Sequence, residues 1–414
     1  MRTCSDLAAS FIHKIESKYR QYDETHIVFD TYHSQSIKNI TRDKRLLGAT
    51  ATKYKVFDNT DISQISMKKF LSHTDTKDQL TEYLSKKVVQ HAQMWSNKIV
   101  IVAWRSEIAS TCGDFQYLRS AHEEAATKMI WHSVDVRVRG ARNLFVFAQD
   151  TDVLVLLIRR YPKLPCESFF VPAPGEMICI RNIFTSLGPL KASALPGLHA
   201  ISGCDTTGCL KGKGKLSYWK VFAKSSDKTL DALSKLGTSD TVTDSIMDEI
   251  ERFTCELFQT GTRMSNLAAL RWSMFANKQI VGERLPPTKG ALMPAVERAN
   301  LQCLIWQQDD QSIAAIPSPI GHGWIAENEQ LIPVMCDIEC APASILELIK
   351  CSCKKNRCRP PCKCLENNLP CTEMCRCNDD EGNCDNVSSN CEEQDDSLDE
   401  DYSDISDDDQ EAHL

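Results

Sequence analysis

No stretch of this 414-residue chain is long and apolar enough to span a bilayer as a helix. The longest runs, IVIVAW at 99–104 and VLVLLI at 153–158, reach about a third of such a span. The opening residues, MRTCSDLAASFIHKIE, lack the apolar core and small-residue cleavage site of a secretory leader. Glycine and proline, 17 and 16 residues, are too few for a collagen-like chain, and no internal repeat is visible. Lysine and arginine are missing from residues 379–414, which hold sixteen of the 56 acidic residues; setting that segment aside turns the net charge of −8 into +8 for residues 1–378. A basic body with an acidic tail suits a polyanionic partner for the body, although both would also serve as plain solvated surface. No membrane partner is expected. The 42% apolar content is ample for a packed core, and the length suggests two or three domains.

The 20 cysteines are unevenly spread. Ten are scattered over residues 1–340, nine crowd into 351–384, and Cys391 trails. A disulfide scaffold would not carry a 340-residue body with its own α/β pattern, so reduced thiols and a metal cluster are expected instead. In the body, a helix (DLAASFIHKIESKYRQY) runs into a short strand, HIVFD, that ends at Asp30. Helical QLTEYLSKKVVQHAQMW precedes a second strand, KIVIVAW. A helix from about Ala121 to Ser133 precedes a third, LFVFA, and another helix starts near Val153. This alternation predicts an α/β fold, a mostly parallel sheet flanked by helices. Residues 183–282 read as largely helical around a GCDTTGCLKGKGK loop, and a hairpin is expected around WIAENEQLIPVM.

Acidic residues recur where strands end. Asp30 closes HIVFD; Asp150 and Asp152 follow LFVFA; Asp205 lies in SGCDTTG; Glu124 lies on the expected helix 121–133. The C-terminal ends of parallel strands form the crevice in which α/β sheets bind ligands. Carboxylates gathered there repel unless a cation such as Mg²⁺ or Mn²⁺ neutralises them, and two such ions can hold a phosphodiester and activate water. Each residue also has a plainer reading: Asp150 or Asp152 as a helix cap, Glu124 paired with Lys128, Asp205 in an Asx turn.

In order, HIVFD with SIKNITRDKR, EEAATKM, AQDTDVL and SGCDTTG with KGKGK resemble the motif set of the flap endonuclease/XPG branch of PIN-like nucleases, over roughly residues 5–235. The resemblance implies that Asp30, Glu124, Asp150, Asp152 and Asp205 bind the catalytic metal ions. Lys38, Arg42 and Arg45 would neutralise the scissile phosphate, and Gly212, Gly214 and Lys215 would sit in a helix-two-turn-helix on duplex backbone. The family places a first carboxylate on a strand ahead of the helix that here begins near Ser5, and a second Glu where this chain has His122. A site one or two ligands short, with weak cleavage, is therefore expected. The loop LKGKGKLSYWK has its own physics: its glycines let backbone N–H groups approach a phosphate, and Lys211, Lys213 and Lys215 add charge, unless it is an ordinary basic turn.

Near the C-terminus, Cys351, Cys353, Cys358, Cys362, Cys364, Cys371, Cys375, Cys377 and Cys384 form C-x-C-x4-C-x3-C-x-C-x6-C-x3-C-x-C-x6-C. Nine thiolates can hold about three Zn²⁺ ions only by sharing sulfurs, since each ion takes four ligands. So small a module has no room for an apolar core, and metal must supply its folding free energy. The run resembles the tesmin/TSO1-like CXC domain, down to the C-x-N ending at Asn386, in a single copy and with RPP where an aromatic usually precedes the fourth cysteine. That aromatic helps the family read DNA, which weakens the expectation of sequence-specific binding. Residues 350–378 carry seven Lys and Arg against two Glu, a polyanion-facing balance.

The whole chain resembles animal proteins of mobile-element type that join such a nuclease-like domain to a cysteine module. The expected organisation is a nuclease-like domain at 1–240, a helical extension at 241–347, a zinc module at 348–386 and a disordered acidic tail at 387–414. The expected function is binding of DNA by structure rather than sequence, in the nucleus, with metal-dependent cleavage impaired. The alternative is a non-catalytic DNA- or chromatin-binding regulator built on the zinc module.

Overall fold

The computed structural model describes residues 2–32, 36–38, 51–276, 284–327, 330–336, 351–353, 358–359, 361–371, 375–378, 384 and 386. Arg42, Arg45, Cys391 and the acidic segment 387–414 lie outside them. Among the described residues, no helix is long and apolar enough to cross a membrane.

The first helix, α1 (Cys4–Tyr19), opens with a reciprocal cap: the Thr3 hydroxyl accepts from the Asp6 N–H, and the Asp6 carboxylate accepts from the Thr3 N–H. Its apolar stripe (Leu7, Ala8) packs with the short α2 (Met67–Phe70) and the long α3 (Thr74–Ala92), burying Phe70, Leu80 and Leu84. Strand β1 (Glu24–Val28) runs parallel to β2 (Ile99–Trp104), and α2 and α3 make the crossover that parallel pairing requires. Strand β3 (Glu107–Ser110) folds back on β2. Helix α4 (Ala125–Val138) leads to β4 (Asn143–Phe147), then α5 (Thr151–Arg160) crosses to the parallel β5 (Glu167–Val171), and β6 (Ile178–Cys179) returns antiparallel.

The expected single, mostly parallel sheet is thus replaced by two three-stranded mixed sheets, ordered β1-β2-β3 and β4-β5-β6. The β2–β3 return is two residues long and carries no glycine, whereas the β5–β6 return, PAPGEM, turns at Gly175 with φ 88°. The β2–β3 turn places Arg105 at φ 48°, in the left-handed region. Tertiary bonds hold it there: its guanidinium pairs with Asp78 and Glu82, and its carbonyl accepts from Thr31 and from Lys128 Nζ.

A helical layer follows: α6 (Ile180–Ile201, bent at Gly188), α7 (Lys215–Phe222), α8 (Asp227–Lys235), α9 (Asp244–Phe258), α10 (Leu267–Ala276) and α11 (Lys289–Gln307). One apolar core runs from Ala126 on α4 to Trp306 on α11, continuing across residue 240, where the sequence had suggested a boundary. Strands β7 (Trp324–Glu327) and β8 (Gln330–Pro333) form the expected hairpin, and a single turn, α12 (Lys363–Glu366), lies in the cysteine module.

Candidate functional site

Five carboxylates expected from the sequence meet around one lysine. Lys38 Nζ lies 3.2 Å from Glu124 Oε1 and 3.6 Å from Asp205 Oδ2, with its side chain 15% exposed. Against its burial, the charges of Glu124, Asp30, Asp205 and Asp152 hold its ammonium well above the ordinary lysine value. Asp30 follows β1 and accepts from the Ala125 N–H at 2.6 Å, at the first turn of α4. Asp150 follows β4 and does cap α5, accepting from the Asp152 N–H at 2.8 Å. Burial and the adjacent Asp152 charge push the Asp150 carboxyl up to about 7.

Glu124 is placed differently from expectation. The helix begins at Ala125 rather than near Ala121, so Glu124 is its extended N-cap. Residues 121–123 are held out of the helix by bonds from Ala121 N to Ser312 O, from His122 Nε2 to Gln311 O, and from Thr31 N to Glu123 O. Lys128 does not pair with Glu124; its buried ammonium donates to Phe29 O, Thr31 Oγ1 and Arg105 O, and burial lowers it to about 8.

Residues that no motif identified complete the surroundings. Gln302 Nε2 donates to Glu124 Oε1 at 3.1 Å and Trp306 Nε1 donates to Oε2 at 3.0 Å, so α11 holds the buried Glu124 carboxylate from behind. Thr206 Oγ1 donates to Gln302 Oε1 at 2.5 Å, joining the Asp205 loop to the same group. His199 on α6 donates from Nε2 to Asp152 Oδ1 at 2.7 Å. Against burial, His199 and then Lys38 and Lys215 hold the Asp152 carboxyl below the usual carboxylate range. The Asp205 loop needs glycine at position 203, where φ is 102° and a Cβ would meet Cys209 Cβ at 3.1 Å. The available signal for α11 was a pair of polar-capable side chains, Gln302 and Trp306, four apart and so on one face of the helix.

The basic loop lies between α6 and α7. Gly212 adopts φ 71°, Gly214 is the N-cap of α7 without a side-chain bond, and Lys211 and Lys215 are exposed. Lys213 Nζ sits 5.0 Å from the centre of the Phe258 ring. Lys215, through its effect on Asp152, connects the loop electrostatically to the carboxylates.

The cysteine module is a separate candidate centre. Its cysteines are free thiols, and eight of the nine form three overlapping quartets: 351/358/362/371, 351/364/371/375 and 358/371/377/384. Sulfurs lie 3.3 Å (358–377), 3.5 Å (358–371), 3.7 Å (364–375) and 3.9 Å (351–358) apart. A tetrahedral ion with bonds of about 2.3 Å separates its sulfurs by about 3.8 Å, so the spacing suits zinc. Cys371 belongs to all three quartets and Cys353 to none. Asn386 closes the module, donating to Leu369 O at 2.9 Å while its carbonyl accepts from the Cys371 N–H at 2.7 Å. Burial pushes the Cys353 and Cys371 thiols up to about 11 and about 12, a cost that a thiolate-binding cation reverses. Apart from cysteines, Leu365 is the only apolar side chain that packs against the cluster among the described residues.

No family model, curated protein or solved structure matches this chain. What its residues can do is therefore read from their own placement: a cysteine cluster that could hold zinc, and a mixed α/β body with five carboxylates around a lysine.

Proposed function

We propose that this chain binds DNA by structure, through a PIN-like body bearing a divalent-metal-dependent nuclease-like site and a CXC-type zinc module that acts as a second tether. The observation that carries this reading is the convergence of Asp30, Glu124, Asp150, Asp152 and Asp205, from four separate stretches of sequence, next to a lysine-bearing loop. Five carboxylates face one buried ammonium, and the raised Asp150 carboxyl marks the repulsion that remains. Hard oxygen donors under this load fit Mg²⁺ or Mn²⁺, which would supply charge neutralisation and a polarised water. Gln302, Trp306 and His199 would orient Glu124 and Asp152, while the 211–215 loop would hold the backbone of the substrate.

Lys38 already neutralises part of the carboxylate charge, and this favours a second reading in which the body binds DNA or chromatin without cutting it. The two readings separate in one assay: end-labelled branched and plain duplex DNA incubated with the zinc-loaded chain, with and without Mn²⁺ or Mg²⁺. Weak metal-dependent cutting of branched DNA, lost in Asp150→Ala, is the expected result. Salt-sensitive binding without cutting selects the regulator, and absence of DNA binding removes both. Nuclear localisation follows from either reading and is checked by imaging the tagged chain.

A further inference from the structure

Helix α7 carries two partly exposed large apolar side chains. Leu216 and Trp219 are 47% and 40% exposed, while Tyr218, Val221 and Phe222 of the same helix are buried in the core. The two exposed side chains are three residues apart and share one face. Lys215, one turn before Trp219, and Lys220 and Lys224 after it are exposed as well. Lys191 of α6 reaches the same end of α7, donating to Ala223 O at 2.8 Å. From residue 206 to 226 the sequence holds five lysines and no acidic residue. The indole itself is steadied by Phe222, whose ring centre lies 5.6 Å away.

A large aromatic surrounded by lysines fits a polyanion that also offers flat apolar faces. Paired bases keep their faces inside the stack, so duplex DNA would contact only the lysines. An unpaired base can leave its neighbours and lie on an indole, a contact that tolerates any base because each offers a flat face. We propose that Trp219, with Leu216 beside it, is a stacking platform for an unpaired nucleobase at a DNA junction. It lies one helical turn beyond Lys215, the loop residue that acts on Asp152. The platform rests on the DNA-binding reading above and adds the feature that would make binding structure-selective.

The test uses the full zinc-loaded chain and fluorescence anisotropy with three DNAs: a blunt duplex, the same duplex with a short unpaired arm, and that arm made abasic. The normal arm should bind more tightly than the blunt duplex and the abasic arm should not. Trp219→Ala should cost about tenfold on the normal arm alone. It should leave the salt slope unchanged, whereas Lys211→Gln should flatten the slope for all three DNAs by about one unit. Trp219→Phe should keep most of the preference, and an unaltered melting temperature should show the fold intact. Equal loss on all three DNAs, or none, would overturn the platform while leaving DNA binding in place. Failure of the parent chain to bind any of them removes the DNA-binding reading, and the platform with it.

Discussion

Lys38 and Glu124 show how one buried ammonium sets the balance of the body. Removing one partner of a buried ion pair leaves the other charge uncompensated, typically at a cost of several kcal/mol. Lys38→Met should therefore destabilise the metal-free chain by about 3 kcal/mol in urea unfolding. If Lys38 occupies space that a cation would share, Mn²⁺ should raise the melting temperature of Lys38→Met more than that of the parent; an equal response would separate lysine from cation. Glu24 offers a second residue-level test. Burial would raise its carboxyl, but hydrogen bonds from Arg139 and His26 overcome this and hold it at about 2. The folded value lies below that of an unfolded glutamate, about 4.3, so this stabilisation is present above that pH and is lost as pH falls toward 2. Glu24→Gln should flatten the dependence of unfolding free energy on pH in that window. The acidic residues at strand ends were legible because strand, end and carboxylate are adjacent in sequence. The groups that hold Glu124 were not: Gln302 and Trp306 lie 178 and 182 residues away, and no spacing connects them to it.

At the level of elements, the strands β1, β2 and β4 and the major helices were visible as apolar runs and periodicity, whereas β3, β5 and β6 were not. β3 and β6 are only four and two residues long, and the pairing of all three, the five-residue β5 included, is set by tertiary contacts rather than by alternation. The start of α4 was misplaced for the same reason, since residues 121–123 are drawn away by partners on other segments. Helix contacts in the α layer depend on glycines at two crossings. A Cβ at Gly197 would lie 2.2 Å from Leu233 O on α8, and one at Gly237, at φ 79°, would lie 2.3 Å from the Cys303 carbonyl carbon on α11. Gly237→Ala combines left-handed backbone strain with a clash against backbone that cannot rotate away. It should lower stability by about 3 kcal/mol in urea unfolding, whereas Gly140→Ala, at φ 95° with open space around it, should cost only the strain, about 1 kcal/mol.

Across the whole molecule, two kinds of cohesion coexist. The body is held by apolar burial, whereas the cysteine module has almost none and depends on sulfur and metal. The module was legible because its ligands lie within one short stretch of sequence; which sulfurs are shared was not, since sharing depends on how the stretch folds back on itself. Elemental analysis of the reduced full-length chain should find about three zinc ions, and a strong chelator should remove them. Cys371→Ser should lower the zinc content most, because it touches all three quartets, and Cys353→Ser least. The dependence of Glu124 on α11 has a consequence in time. During synthesis Asp30, Lys38, Glu124, Asp150, Asp152 and Asp205 all leave the ribosome before Gln302 and Trp306 do. Until then the Glu124 carboxylate lacks its two neutral donors, so the finished cluster cannot form before the chain has been made past residue 306.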